Sequence, residues 1–224
     1  MTLSAPQTEI LTASALFSGI KKEDALSMMH CLGAERKRAF KGEYIFMEGD
    51  PAGRIGLVLT GSVRILRDSL DGSRSILSVA GPGSLFAEAI ACAGVQEMPV
   101  SVEAQEDTDL LLLNVSKILT TCSNSCCFHQ SLIRNLLMVV AKKNLLMNRK
   151  LRILAHKTTR EKLLAYLEEQ AGASRSRSFY IPLDRQALAD YLGVERSAMS
   201  AELGKLQREG ILSTRKNYFE LHHG

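Results

Sequence analysis

The sequence predicts an α+β chain of three parts: an N-terminal β-roll (a double-stranded β-helix, jelly-roll-like), one long helix, and a C-terminal helix-turn-helix with a β wing. Three observations predict it. Glycines at intervals of roughly ten break the front of the chain into short β-rich runs. No glycine or proline interrupts Cys126 to His156, and Leu183 to Leu206 reads as helix, tight turn, second helix. The parts fall at 1–125, 126–156 and 157–224. At 224 residues, 46% of them apolar, the chain suits one large or two modest domains with packed cores.

Residues 14 to 33 read as helical. Beyond them Gly42, Gly49, Gly53, Gly61, Gly72, Gly81 and Gly83 punctuate the runs Tyr44–Met47, Ile55–Leu59, Ser62–Leu66 and Ser75–Val79, and Leu110–Val115 follows. Asp71-Gly72 is a hairpin turn signal. Many short strands with this punctuation make a sandwich or a rolled barrel, and the weight of Leu and Ile points to an enclosed interior.

Within the helical stretch Ile133, Leu137, Val140, Asn144, Met147, Leu151 and Leu154 follow one another at alternating spacings of 4 and 3. That is the heptad repeat of a coiled-coil seam. Its polar member, Asn144, stands at an a position, where a buried amide fixes register and favours two strands. A parallel homodimer is expected. A second stripe, Leu132, Leu136, Val139, Lys143, Leu146, Lys150 and Ile153, runs beside the first and would pack on the β-roll. Burial in a monomeric core is the competing reading, against which the strict heptad spacing favours self-association.

In the last part Asp184 is placed to cap a helix whose Leu188 and Leu192 face inward, and Gly193 can end it in the left-handed conformation that a sharp turn needs. Val194 can plug the angle, and Ala189 allows close helix contact. The second helix carries Met199, Leu203 and Leu206 at i, i+4 and i+7. Arg196, Ser197, Ser200, Ala201 and Lys205 are left on other faces, where they would meet a DNA groove. After Gly210, Ile211–Thr214 and Tyr218–Leu221 read as two short strands around the basic tip Arg215-Lys216-Asn217. A hairpin of core helices competes for this segment taken alone; the wing favours a winged helix-turn-helix and double-stranded DNA as partner.

The net charge is +4, and its distribution says more than its size. Residues 1–115 hold 10 basic against 15 acidic side chains, residues 116–154 hold 7 basic and no acidic ones, and residues 155–224 hold 11 against 9. DNA contact is expected of the C-terminal end and not of the acidic front. No apolar run reaches membrane-spanning length and no signal-type segment opens the sequence, so a cytoplasmic chain without a membrane partner is expected. Five cysteines, an odd number, argue for reduced thiols over a disulfide framework. Cys122, Cys126, Cys127 and His129 group soft and borderline ligands, but Cys-x3-Cys-Cys-x-His matches no regular zinc pattern, and buried cysteines also serve as small apolar residues. No metal or cofactor is assigned. His30, His129, His156, His222 and His223 lack a nucleophile elbow, the chain has no phosphate-binding glycine loop, and no catalytic residue is assigned.

The order of β-roll, heptad helix and winged helix-turn-helix, together with Lys41-Gly-Glu-Tyr-Ile-Phe-Met-Glu-Gly-Asp50, Leu59-Thr-Gly-Ser-Val63, Asp71-Gly72 and Pro82-Gly-Ser-Leu-Phe-Ala-Glu88, resembles the Crp/Fnr family of bacterial transcription regulators. The resemblance covers nearly the whole chain. It implies a cyclic-nucleotide-binding-like sensor roll, a dimerisation helix, and a second reader helix lying in the major groove with Arg196, Ser197 and Ala201 at base edges. Arg196 suits guanine and Ser197 is permissive; Ala201 stands where the family frequently has arginine, so a divergent operator is expected. Ser200, Lys205, Arg215 and Lys216 would contact phosphates. Nucleotide-binding relatives hold the ribose with a Gly-Glu pair and the cyclic phosphate with an Arg-Ser pair. Here Glu88 follows Ala87, and the Arg-Ser place reads Met98-Pro99, or Pro99-Val100 if the loop is shifted by one. Without a cation for the phosphate, no tight cyclic-AMP binding is expected. Leu85, Phe86, Glu88, Ala89, Ile90, Met98 and Val100 outline either a pocket for a small hydrophobic or weakly acidic effector, or a filled core. Iron–sulfur members carry their cysteines in an N-terminal extension, and none precedes Cys31.

The expectation is therefore a homodimer on a palindromic promoter site, gated by a small effector other than cyclic AMP. Arg152 to Thr159 would be the hinge, and RNA polymerase a partner if the output is activation. The alternatives are a redox or metal response through Cys122, Cys126, Cys127 and His129, and a constitutive regulator with a ligand-free barrel.

Overall fold

A computed structural model describes residues 3–68, 74–120 and 127–222, without the side chain of Cys127. The expected Asp71-Gly72 turn lies outside the described residues. Helix α1 (Ala5–Ala13) opens on a capping box between Ser4 and Gln7. A short 3-10 turn, Ala15–Phe17, separates it from α2 (Lys22–Cys31). The single helix expected over residues 14 to 33 is thus interrupted, with Gly19 at φ 76 where the chain turns between 3-10 turn and helix.

The β-roll follows as β1 (Glu35–Ala39), β2 (Tyr44–Phe46), β3 (Arg54–Thr60), β4 (Val63–Asp68), β5 (Arg74–Ala80), β6 (Leu85–Phe86), helix α3 (Glu88–Cys92), β7 (Ser101–Ala104) and β8 (Thr108–Asn114). Two four-stranded antiparallel sheets result, ordered β1-β8-β3-β6 and β2-β7-β4-β5. Strand β8 accounts for their packing. Leu110 and Leu112 meet Phe46, Val58, Val63 and Val102 between the sheets, whereas Leu111 and Leu113 belong to the core formed with Leu11, Phe17, Met28, Leu132 and Leu136 on the helical side. A strand buried on both faces reads as a continuous apolar run because its alternation has two apolar partners.

Strands β1 and β7 escape the sequence reading because β1 reads Glu-Arg-Lys-Arg-Ala, with no apolar alternation, and the alternation of β7, Ser-Val-Glu-Ala, is only four residues long. Ladder pairing and ion pairs hold them. Arg36 on β1 binds Asp109 on β8, and Gln7 adds a 2.7 Å bond from α1 to the same carboxylate. The Arg36 hydrogen bonds hold Asp109 below the usual carboxylate range despite its burial. Glu103 on β7, buried, receives Arg64 at 2.6 Å and Arg74 at 3.3 Å.

Helix α4 (Val115–Leu119) precedes α5 (Cys127–Leu154), α6 (Thr159–Ser174), β9 (Ser178–Tyr180), α7 (Arg185–Leu192), α8 (Arg196–Arg208), β10 (Leu212–Arg215) and β11 (Tyr218–Leu221). The chain forms two compact units, Met1–Lys142 and Lys143–Gly224, which divide inside α5. Leu132, Leu136 and Val139 belong to the core of the first unit and Ile153 to that of the second. Within the second unit the Lys150 ammonium lies 5.0 Å from the centroid of the Tyr191 ring, and Arg149 lies 3.8 Å from Glu169. Arg152 to Thr159, the expected hinge, therefore lies within the second unit, where Thr158 caps α6 in a capping box with Glu161. Among the described residues no helix is long and apolar enough to cross a membrane.

Candidate nucleic-acid interface

Asp184 starts α7 by accepting a 2.8 Å bond from the Ala187 N–H. Gly193 ends it at φ 60, and the Val194 N–H donates back to the Ala189 carbonyl at 3.1 Å. Helix α8 buries Met199, Leu203 and Leu206 in one core with Leu188, Ala189 and Leu192. Arg196, Ser197, Ser200, Ala201 and Lys205 are left exposed.

The wing pairs β10 with β11, and Lys216 at its turn takes φ 54. A third strand, β9, joins β11 on the other side; Ser-Phe-Tyr was too short to show a period. The turn is pinned to the chain after β9, since the Ile181 N–H donates to the Asn217 carbonyl at 2.9 Å and the Asn217 amide returns a 3.2 Å bond to the Ile181 carbonyl. A cleft of about 490 Å³ is lined by residues 182–186, Arg196, Lys216 and Asn217. The first residue of α8 and the tip of the wing thus face the same space.

Arg185 also lines this cleft and was not singled out in the sequence. Its Nη2 donates to Thr214 Oγ1 at 2.7 Å, and its guanidinium carbon stands 4.9 Å from the Phe219 ring centroid. Its Nη1 is buried with no hydrogen-bond partner among the described residues, and burial lowers its pKa. The Thr214 bond and the Phe219 ring fix the guanidinium at the edge of the cleft. The signal was available: a cation in the first turn of a helix opposes the macrodipole, so it does not serve the helix. Lys205 stands 3.3 Å from Glu202, which also receives Arg160 at 3.3 Å. Arg160 binds Glu209 as well and holds that carboxyl below its usual range.

Along α5, Leu137, Met147 and Leu151 of the expected seam are 66%, 67% and 57% exposed. Asn144 is exposed and accepts a 2.8 Å bond from Asn148; Ile133, Val140 and Leu154 are half-buried. The second stripe divides, with Leu132, Leu136, Val139 and Ile153 buried but Lys143 and Leu146 exposed. Large aliphatic side chains are thus left bare on this helix in both units.

The expected effector residues do not share one lining. Phe86 and Met98 are each 2% exposed and lie in the core between the sheets, with Ile90 and Val100 half-buried at its edge. Leu85 joins the core on the opposite face of the sheet, and Ala89 is exposed. The physical reason is strand alternation across Leu85-Phe86. The Phe86 ring lies over Gly56, where an added Cβ would overlap it, and meets Phe46 edge-on at 6.1 Å. Glu88 is buried. Burial, and then the Glu88 charge, push the Cys92 thiol up. Of the metal candidates, Cys122, Cys126 and the Cys127 side chain lie outside the described residues, and His129 is buried. Among the described residues no group of three His, Cys, Asp or Glu side chains could hold a metal ion.

The family model of the cyclic nucleotide-binding domain matches residues 36–125, and that of the Crp-like helix-turn-helix domain matches residues 161–223. The cyclic AMP receptor protein of Thermus thermophilus is 29% identical over 216 residues, covering 90% of this chain and 89% of that protein. The nitrogen fixation regulation protein FixK of Rhizobium meliloti is 27% identical over 178 residues, covering 78% and 76%. The crystal structure of the Thermus thermophilus catabolite activator protein superposes with a TM-score of 0.55 at 26% identity, covering 93% of this chain and 94% of that one. With both domains matched in order and the reader geometry in place, the chain belongs to the Crp/Fnr family: it is a DNA-binding transcription regulator and not an enzyme.

Proposed function

We propose that the chain binds a palindromic promoter site as a homodimer, gated by a small effector other than cyclic AMP. The observation that carries this reading is the coexistence of two open surfaces, the cationic cleft shared by α8 and the wing and the bare aliphatic stripe of α5. In it, two α5 helices pair in parallel through Ile133, Leu137, Val140, Asn144, Met147, Leu151 and Leu154. Arg196 takes guanine bidentately, Ser197 and Ala201 face neighbouring bases, and Ser200, Lys205, Arg215, Lys216 and Arg185 hold phosphates. Two-fold symmetry sets the half-sites one helical turn apart, ~34 Å. The protein works in the cytoplasm, and RNA polymerase is the further partner where the output is activation.

The Thermus thermophilus relative is named for cyclic AMP. In this chain Met98-Pro99 brings no cation to a cyclic phosphate, and a buried phosphate without one loses its charge-assisted bonds. An effector that binds one arrangement of the dimer more tightly shifts a two-state equilibrium. A second reading, a barrel that takes no ligand, is favoured by the Phe86 ring lying over Gly56.

Sedimentation and selection of sites from a random duplex pool test the reading. A dimer and a two-fold consensus are expected, and Met147→Asp with Leu151→Asp is expected to give monomers that no longer hold the site. A wild-type monomer, or an asymmetric consensus, would overturn it. Thermal-shift titration with small acids, phenols and nucleotides tests the gate: a shift with cyclic AMP defeats the effector assignment, and no shift with any of them favours the ligand-free barrel.

A further inference from the structure

Beyond the phosphate contacts proposed for Arg215 and Lys216, the wing carries a second cleft in which those two cations stand beside two tyrosines. It measures about 480 Å³ and is lined by Tyr180, Arg215, Lys216, Asn217 and Tyr218. Tyr180 stands on β9, an edge of the wing sheet, and is 73% exposed. It is the cross-strand partner of Tyr218, and the two rings meet at 5.2 Å with a 55° tilt. Lys216 and Asn217 line both clefts, so the surface runs without interruption from Arg196, across the wing turn, to Tyr180. Arg185, Arg196, Arg215 and Lys216 border this surface. Its carboxylate is Asp184, which is engaged as the cap of α7.

We infer that Tyr180 and Tyr218 form a further DNA contact, in which the ring pair lies against the sugar-phosphate backbone and the hydroxyls donate to phosphate oxygens. A tyrosine combines a rigid apolar ring with a polar tip and suits a surface that is partly apolar and partly wet. Deoxyribose and phosphate offer that combination at every step, whatever the base sequence. Continuity with the cationic cleft selects duplex DNA over a protein partner, because an anionic backbone entering at Arg196 meets Arg215 and Lys216 on its way to the tyrosines.

The inference rests on the DNA-reading face, and its test separates the two. Affinity is measured on the selected duplex site and on a random-sequence duplex, for the wild type, Tyr180→Phe with Tyr218→Phe, Tyr180→Ala, and Arg196→Ala. Ethylation interference maps the phosphates in contact. The tyrosine variants are expected to weaken both duplexes by the same factor, about two- to tenfold per hydrogen bond lost, and to lose interference at phosphates that Arg196→Ala retains. Arg196→Ala is expected to weaken the selected site alone. Wild-type affinity of the tyrosine variants for both duplexes overturns the inference while leaving the reader intact. So does loss of transcriptional output with DNA binding unchanged, which would assign the cleft to a protein. A wild-type protein that binds neither duplex, with or without the small acids, phenols and nucleotides of the thermal-shift titration, defeats the DNA-reading face itself.

Discussion

In the β-roll, Phe86 and Met98 occupy the space between the sheets, the Phe86 ring over Gly56 and edge-on to Phe46. In the wing domain, Arg185, Arg196, Arg215 and Lys216 stand around open clefts. Both regions rest on backbone devices of one kind: glycine at Gly61 and Gly193 takes positive φ where the chain turns, and alternating or helical apolar patterns bury one or both faces. The regions differ in what is laid over that frame. A scaffold tolerates exchange of apolar interior side chains of matched volume, so a roll can keep its strands while its filling varies. A reader cannot fill its cleft in that way, because its partner is a polyanion that must reach exposed cations.

The largest effect is expected of Phe86→Ala. If the ring is core, thermal or urea unfolding should show a loss of about 3–5 kcal/mol; a loss below about 1 kcal/mol would mean that the ring covers a cavity which collapses or hydrates freely. Arg196→Ala is the counterpart in the open region. It should leave the melting temperature unchanged yet cost about 1–3 kcal/mol in affinity for the selected site, read by titration of duplex DNA.

Acid probes the β-roll through Asp109. Asp109 has its folded pKa lowered, so the stability it contributes is fully present above the unfolded value, about 3.9, and is lost as pH falls through the folded value. Asp109→Asn should cost about 1–3 kcal/mol at neutral pH and progressively less as pH falls below the unfolded value, read by unfolding of the first unit. The wing domain should not share that difference. The smallest effect is at Ala87, which takes φ 60 with a Cβ. Ala87→Gly should stabilise the roll by about 1 kcal/mol, read by chemical unfolding, because it relieves a left-handed alanine at a modest entropic cost.

The sequence was most legible where structure is local. Asp184, Gly193, Met199, Leu203 and Leu206 could be assigned from spacing and capping chemistry, since a helix writes its burial into every third or fourth residue. The heptad of α5 was visible for the same reason, as were β2, β3, β4, β5 and β8. The helix over residues 14 to 33 was misjudged because α1 begins at Ala5 behind a capping box, and Gly19 falls between the 3-10 turn and α2.

By itself, the sequence determined the family, the order of the domains, and the residues that α8 leaves on its outer face. These follow from short-range periodicity and from the residue types that particular backbone angles require. Only the tertiary structure decided that β1 and β7 are strands, because their charged residues are accommodated by Asp109, Arg64 and Arg74 brought from far along the chain. It also separated Leu85 from Phe86 into two cores, buried one nitrogen of Arg185 beside the reading cleft, and joined Tyr180 to Tyr218 across the wing. The physical reason is common to all of them: the burial and pairing of a side chain depend on which distant strand or helix folds against it, and no local pattern carries that information.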